Sequence, residues 1–330
     1  RIYLIKSALE QNQFSQKSLS HMDRCLTCRS CETTCPSGVE YGQLLEIGRE
    51  MMESKRGRLQ SLYRYIVRKT LSTPLLFRPA GYFLRHSKIN SKAIKPKIIN
   101  SSVLLMGGCV QPSLAPNINH SIKNILAKLN IEVLESSQGE CCGALDQHLA
   151  ASSDALKKVK RNIDNWISKL DSGVEAIISS ASGCGVMIKD YPNLFEESDP
   201  YYEKSLLISS KTKDIAEFLV NQDLSSLKLK ELNIAYHEPC TMQHGQKLGG
   251  LVESILSEFG YNKKQIKDSH ICCGSAGTYS VFETKIANQL RSNKIDNLNA
   301  SKPKMIVTSN IGCLMHLQKG SSIPVKHWVE

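Results

Sequence analysis

The sequence predicts an α/β protein in which a small α-helical N-terminal domain precedes two pseudo-symmetric α/β halves with largely parallel sheets. Three observations carry that prediction. A dense cysteine run occupies Cys25 to Cys35, short apolar runs alternate with helical periodicities beyond residue 100, and the second half of the chain repeats the first. The repeat offset is 131 residues from Cys109 to Cys240 and from Cys142 to Cys273, and 129 residues from Cys184 to Cys313. The expected organisation is a helical domain over 1–54, a basic helical linker over 55–100, and two cysteine-rich halves over 101–222 and 223–330.

Length and composition narrow the classes. A chain of 330 residues suggests about two domains, and 41% hydrophobic residues supply ample core. Twelve cysteines are too sparse for a disulfide scaffold, and the vicinal pairs Cys141-Cys142 and Cys272-Cys273 suit cross-links poorly. A reducing compartment is expected. No signal-peptide pattern opens the chain, and no apolar run reaches the eighteen or so residues of a membrane span. The net charge of +11 is local: Ser54 to Ser102 holds twelve basic residues and no acidic one, while residues 101–330 balance at 24 of each sign. Nucleic-acid binding would need positive charge and interleaved aromatics on the large halves, which have neither.

Taken in order, residues 1–20 read as a helix with Ile2, Ile5 and Leu9 on one face. The run Cys25-x-x-Cys28-x-x-Cys31-x-x-x-Cys35-Pro36 follows. Four thiolates at this spacing, closed by Cys-Pro, form the bacterial ferredoxin run that holds a 4Fe-4S cluster. Short gaps let one turning segment place Cys25, Cys28 and Cys31 around one cluster corner. In two-cluster ferredoxins the fourth cysteine of such a run ligates the other cluster, so Cys35 is expected to point away. A four-cysteine zinc site and a disulfide staple are the alternatives, although zinc sites usually split their ligands into two separated pairs.

Val39 to Glu53 spaces Leu44, Leu45, Ile47, Met51 and Met52 as a helix, with both methionines expected in the core. From Arg56 to Leu71, Leu59, Leu62, Tyr63, Ile66, Val67 and Thr70 recur at threes and fours opposite Arg56, Arg64, Arg68 and Lys69. This basic amphipathic helix is followed by Pro74 and Pro79, which break the pattern, and by a polar connector from Asn90 to Ser102. The basic face is expected to dock on an anionic membrane or an acidic partner, with a solvated connector as the alternative.

Each half then opens with a strand run, Val103 to Met106 or Ile234 to Tyr236, and continues into a helix, Ile118 to Leu129 or Leu248 to Phe259. Glu140-Cys141-Cys142-Gly143 and Ile271-Cys272-Cys273-Gly274 come next. Second helices lead to strands Ala176–Ile178 and Met305–Val307, and these run into Gly183-Cys184 and Gly312-Cys313. Strand-helix alternation argues for βαβ units and parallel sheets. Ligands of such sheets collect at the carboxyl ends of the strands, where Cys109, Cys184, Cys240 and Cys313 fall. Gly143 and Gly274 permit tight turns after the vicinal pairs. Two four-thiol sets are therefore expected to converge: Cys109, Cys141, Cys142 and Cys184, and separately Cys240, Cys272, Cys273 and Cys313.

The duplicated Cys, Cys-Cys-Gly, Gly-Cys arrangement resembles the CCG cysteine-rich domain of heterodisulfide reductases and related dehydrogenase subunits. Together with the ferredoxin-like run it is similar to the iron-sulfur subunits of glycolate oxidases over essentially the whole chain. Asp23-Arg24-Cys25-Leu26-Thr27-Cys28-Arg29, Ala181-Ser182-Gly183-Cys184-Gly185 and Ser269-His270-Ile271-Cys272-Cys273-Gly274-Ser275-Ala276-Gly277-Thr278-Tyr279 carry the likeness. Members begin earlier and hold another ferredoxin motif, so the chain is expected to be N-terminally truncated. The resemblance implies a flavin-containing partner that oxidises glycolate to glyoxylate, onward transfer toward a quinone, and a cytoplasmic protein with peripheral contact at the inner membrane face. Lactate or glycerol 3-phosphate dehydrogenase subunits share the CCG halves and are the alternative, as is a heterodisulfide reductase-like catalytic subunit. The fuller CCG pattern ends in Cys-x-x-Cys, where this chain has Ala181 and Asn310. The halves thus retain three options: a cubane, a modified cluster or a structural metal.

No Gly-x-Gly-x-x-Gly follows a strand, which leaves flavin or dinucleotide binding in this chain without support. His237, His244, His270 and His316 lie close to repeat cysteines and are expected to hydrogen-bond near the loops or line an interface, with ligation or proton transfer as the alternative. Glu140 and Glu238 read as capping or surface carboxylates rather than general bases.

Overall fold

The computed structural model describes residues 1–11, 15–86, 89, 92–135, 141–227, 233–261, 264 and 266–330. Seven strands form two sheets. The first contains β1 (Ser101–Leu105), β2 (Ile131–Glu135), β3 (Ala176–Ser179) and β4 (Thr212–Asp214) in the order β2-β1-β3-β4, all parallel. The second contains β5 (Ile234–His237), β6 (Met305–Thr308) and β7 (Val325–His327) in that order, again parallel. The register matches the sequence repeat, since β1 pairs with β3 through Val103 and Ala176 while β5 pairs with β6 through Ile234 and Met305. A counterpart of β2 is absent among the described residues of the second half.

Side-chain alternation on β1 decides what each sheet face covers. Val103 and Leu105 join a core that continues into the second half through Ala235, Tyr236, Ile306, Val307 and Leu314. Leu104 and Met106 face the other way, toward Trp166, Ile163 and Tyr191. Period-two alternation thus sends successive residues of one strand into two cores. The shared core joins the halves into one body. Full burial of each large side chain contributes about 1.5–3 kcal/mol.

The two halves are also tied by His327, which is buried at the end of β7. Its Nε2 lies 2.9 Å from the Ser180 carbonyl, which can only accept, so Nε2 holds the proton. Nδ1 then accepts from the Val329 amide at 3.4 Å. Burial lowers the imidazole to about 4, against weaker support of the charged form by the Ser180 and Ser309 carbonyls. An unfolded histidine titrates near 6.5, so the folded value is depressed. This contribution to stability is complete above about pH 6.5 and is lost as pH falls toward 4, by about 3 kcal/mol at 1.36 kcal/mol per pH unit. Acid unfolding curves should therefore steepen between pH 6.5 and 4, and His327→Gln should flatten that interval. An unchanged pH profile in the variant would remove His327 from the acid response.

The N-terminal domain departs from one continuous helix over 1–20. Helices Ile2–Gln11 and Gln16–Asp23 are observed, the second capped by Ser15, whose hydroxyl accepts from the Ser18 amide. Residues 12–14 lie outside the described residues. Ile5 and Ala8, rather than Ile2 and Leu9, enter the small core with Leu19, Met22, Tyr41, Leu45 and Met52. Met51 is only half-buried, and Ile47 is exposed.

The basic segment is the main correction. Helix Arg58–Ser72 forms, but its buried face is Arg64, Arg68 and Ser72. Arg56 donates to both Asp23 oxygens at 2.9 Å and to Glu53 at 3.0 Å. Arg64 pairs with the same two acids at 3.5 and 3.6 Å. Arg68 reaches Asp146 at 2.7 Å and Asp154 at 2.6 Å, and Lys69 reaches Asp154 at 2.9 Å. These cations face inward, onto acids of the N-terminal domain and the first half. The apolar stripe faces water instead, with Leu59 85% exposed and Leu62, Tyr63 and Ile66 each more than half exposed. Pro74 starts a further helix, Pro74–Phe83, and Pro79 sits inside it rather than ending it. The first helical turn tolerates Pro74 because no amide bond is lost there, whereas Pro79, one turn on, forgoes one intrahelical bond. Residues 90 and 91 of the expected connector lie outside the described residues.

Candidate metal centre

The first cysteine loop turns through two non-glycine residues in the left-handed region, Thr27 at φ 54° and Arg29 at φ 58°. Such residues cost of order 1 kcal/mol or more each and persist where surrounding contacts hold them. Arg49, buried beneath the loop, supplies those contacts: it donates to the Cys25 carbonyl at 3.0 Å, the Met22 carbonyl at 3.3 Å and Thr27 Oγ1 at 3.1 Å. Arg29 pairs with Asp190 of the first half, and Thr33 Oγ1 lies 2.8 Å from His244 Nδ1 of the second. The loop is wedged between the two halves.

Cys25, Cys28 and Cys31 lie close enough to act on one another electrostatically; burial raises the Cys28 thiol, and Cys240 of the second half adds to that rise. No cysteine is among the groups acting on Cys35, whose thiol is lowered by the Val39 and Ser37 amides. The structure therefore brings Cys25, Cys28 and Cys31 near one another, and Cys25 and Cys28 face the central cavity.

In the first half Cys109 follows β1, Cys141 and Cys142 precede Gly143, and Cys184 lies in helix Ser182–Lys189 after β3. Thiol contacts run from Cys109 to Cys141, to Cys142, to Cys184. Those contacts hold Cys141 well below the ordinary thiol range, aided by the Lys158 ammonium. Contact with Cys141 and burial push Cys109 up, and Cys142 rises through its contacts with Cys141 and Cys184 and through burial. Asn162 donates to the Cys141 carbonyl and to Tyr191 Oη, both at 3.0 Å, and Tyr191 donates to the Cys142 carbonyl at 3.0 Å. These two buried polar side chains fix the backbone of the vicinal pair.

The second half repeats the plan. Cys240 Sγ and Cys272 Sγ are 3.7 Å apart, the Gly274 amide donates to Cys272 Sγ at 3.4 Å, and Cys272, Cys273 and Cys313 are in thiol contact. Lys294 is buried, donates to the Asp268 carbonyl at 2.6 Å, and places its charge near Cys273, Cys272 and Cys240. Gly274 sits at φ +90°, and a Cβ there would lie 2.6 Å from the Ala287 carbonyl oxygen. Only glycine fits that turn without displacing helix Thr284–Asn299.

Nine of the twelve cysteines line one cavity of about 670 Å³: Cys25, Cys28, Cys109, Cys141, Cys142, Cys184, Cys240, Cys272 and Cys313. Clustered buried thiols favour their neutral forms, whereas a thiophilic cation requires thiolates and stabilises them. The donor set, with Lys158 and Lys294 as fixed counter-charges, fits such a cation. Lys158, Lys294, Arg49, Asn162 and Tyr191 were not singled out from sequence, because each lies far along the chain from the thiol it serves and no spacing marks it.

Among the histidines, His244 bonds Thr33, and His316 Nε2 lies 3.2 Å from the Ala287 carbonyl. His270 is exposed. His237 differs, since its ring nitrogen and the sulfurs of Cys273 and Cys313 all lie within 4.8 Å of one another. Glu238 accepts from the Gly250 amide at 2.7 Å, at the start of helix Leu251–Glu258. Glu140 lies outside the described residues.

Paired parallel-sheet halves with thiols at their strand ends define a duplicated cysteine-rich protein, and the CCG family, described as a cysteine-rich domain, matches residues 103–189 and 234–318. The whole chain is 41% identical to the glycolate oxidase iron-sulfur subunit of Escherichia coli (strain K12), covering 86% of that protein. The chain belongs to the glycolate oxidase iron-sulfur subunit family and is thus a subunit of an oxidoreductase complex. A probable glycolate oxidase iron-sulfur subunit of Bacillus subtilis (strain 168) is 26% identical over 97% of this chain and 82% of its own length. Lactate utilization protein A of the same organism is 25% identical over 69% of this chain and 97% of its own length.

Proposed function

We propose that this chain relays electrons from a flavin-containing partner, which oxidises glycolate to glyoxylate, to a quinone-type acceptor. The observation that carries the reading is the single cavity on which the N-terminal cysteine loop and both cysteine-rich halves converge. Iron-sulfur clusters, when bound, supply one-electron transfer. Cys25, Cys28 and Cys31 would hold a 4Fe-4S cluster, with Cys35 turned toward another centre, and the two four-thiol sets would hold further clusters or a structural metal. The chain's own part is to bury the sulfurs, to set Lys158 and Lys294 against their charge, and to fix the loop spacing through Arg49, Asn162 and Tyr191. Glycolate oxidation releases two electrons and two protons, and a quinone takes up both pairs. Free thiols throughout suit the cytoplasm, and the exposed stripe of helix Arg58–Ser72 suits peripheral contact with the inner face of its membrane.

The test is anaerobic reconstitution with the flavoprotein subunits. Glycolate should bleach the visible absorption of this chain only when they are present, and Cys28→Ser should remove part of the iron and abolish onward transfer. Reduction of a disulfide by this chain without a flavoprotein would overturn the relay and favour the reductase-like reading.

A further inference from the structure

We propose that His237 is the nitrogen donor of a mixed imidazole-thiolate metal centre in the second half, completed by Cys273, Cys313 and one sulfur of the Cys240-Cys272 pair. This rests on the metal-binding reading of the halves and not on the identity of the oxidised substrate. His237 is the last residue of β5 and is 2% exposed. Its ring nitrogen lies with Cys273 Sγ and Cys313 Sγ inside a 4.8 Å circle, and all three residues are buried. Nε2 has no hydrogen-bond partner among the described residues. A buried ring nitrogen left unmatched is costly, so its placement against two thiols calls for a ligand. A cation meets that need.

The donors decide which cation. Two or three sulfurs with one imidazole nitrogen suit zinc or iron and do not suit calcium or magnesium, which take oxygen. Three thiolates around a divalent ion leave one net negative charge. Lys294, buried and acting on Cys273, Cys272 and Cys240, is placed to balance it.

The first half cannot build the same centre. Three residues before Cys240 stands His237, and three residues before Cys109 stands Met106. Met106 packs with Leu104, Cys142 and Trp166 in an apolar core. The halves therefore share a fold and differ in donor chemistry, one offering sulfur alone and the other sulfur with nitrogen. Where iron fills both halves, nitrogen in place of sulfur raises the potential of the second, whereas zinc in the second half would leave it without redox chemistry.

The experiment is X-ray absorption at the iron and zinc edges of the full chain purified anaerobically, with metal content measured before and after chelator challenge. A nitrogen scatterer at about 2.0–2.1 Å beside sulfur at about 2.3 Å is expected at one edge. His237→Ala should lose that scatterer and retain the metal at least about tenfold less well. His237→Cys should restore retention with an all-sulfur shell, which separates ligand loss from misfolding. Met106→Ala should leave the nitrogen signal unchanged. Full retention in His237→Ala with an unaltered edge spectrum would overturn the assignment. Cys28→Ser serves as the independent control: it should remove the N-terminal cluster and leave the nitrogen scatterer, so failure of the relay and failure of this site read differently.

Discussion

Replacing Leu59, Leu62 and Ile66 with serine should weaken capture of the protein by lipid vesicles about a thousandfold. The three side chains lie on one side of helix Arg58–Ser72 and are 85%, 55% and 53% exposed. Leu75, Leu76, Tyr82 and Phe83 of the next helix are exposed as well. Transfer of each such side chain from water contributes roughly 1.5 kcal/mol, about 4.5 kcal/mol for three, and every 1.4 kcal/mol is tenfold. Arg56, Arg64 and Arg68 contribute little to docking, because they are engaged with Asp23, Glu53, Asp146 and Asp154. Capture should therefore survive 1 M salt in large part, although the screening length there is only about 3 Å. Co-sedimentation with neutral and anionic vesicles measures both effects. Equal capture of wild type and the triple variant would exclude the apolar stripe as the contact.

How the arginine helix came to be inverted shows what sequence periodicity conveys. Spacing at threes and fours shows that Leu59, Leu62 and Ile66 lie opposite Arg64 and Arg68, and the structure has them so. Periodicity does not say which face meets water. That depends on Asp23 and Asp146, 41 and 78 residues from their arginines. Strands were more legible, because β1, β3, β5 and β6 are short apolar runs whose neighbours recur at the same offsets in both halves. The sulfur constellations were legible for the same reason: a strand end fixes where the next residue must be. His237 sits at such a strand end too, and comparison with Met106 across the repeat was the available signal. Proximity to several cysteines made it look like its hydrogen-bonding neighbours His244 and His316. Lys294 carried no signal, since its role depends on helix Thr284–Asn299 crossing behind the Cys-Cys-Gly turn.

Asp146→Ala should destabilise the docking of helix Arg58–Ser72 on the first half by about 3–5 kcal/mol, the cost of leaving a buried cation without its partner. Asp146 is fully buried and accepts from Arg68 Nη1 at 2.7 Å, from Lys158 Nζ and from Ser72 Oγ at 3.5 Å. Without its carboxylate, Arg68 keeps the partly exposed Asp154 and the Tyr65 ring, and Lys158 keeps the Ser72 carbonyl at 3.1 Å. The damage reaches the metal centre, because the Lys158 charge then acts on Cys141 uncompensated and lowers that thiol further. Asp154→Ala should cost less than Asp146→Ala, since Asp154 is itself partly exposed and Arg68 keeps the fully buried Asp146 carboxylate. Hydrogen exchange over residues 58–72 reads the docking directly, and the Asp146 variant should lose protection there before the sheets do. Arg68→Met, Lys158→Met and Asp146→Leu combined should recover most of it, because a buried ion cluster replaced by apolar groups of similar volume is often neutral or stabilising. Unchanged exchange in Asp146→Ala would show that the apolar contacts of the helix, and not the buried carboxylate, hold it to the first half.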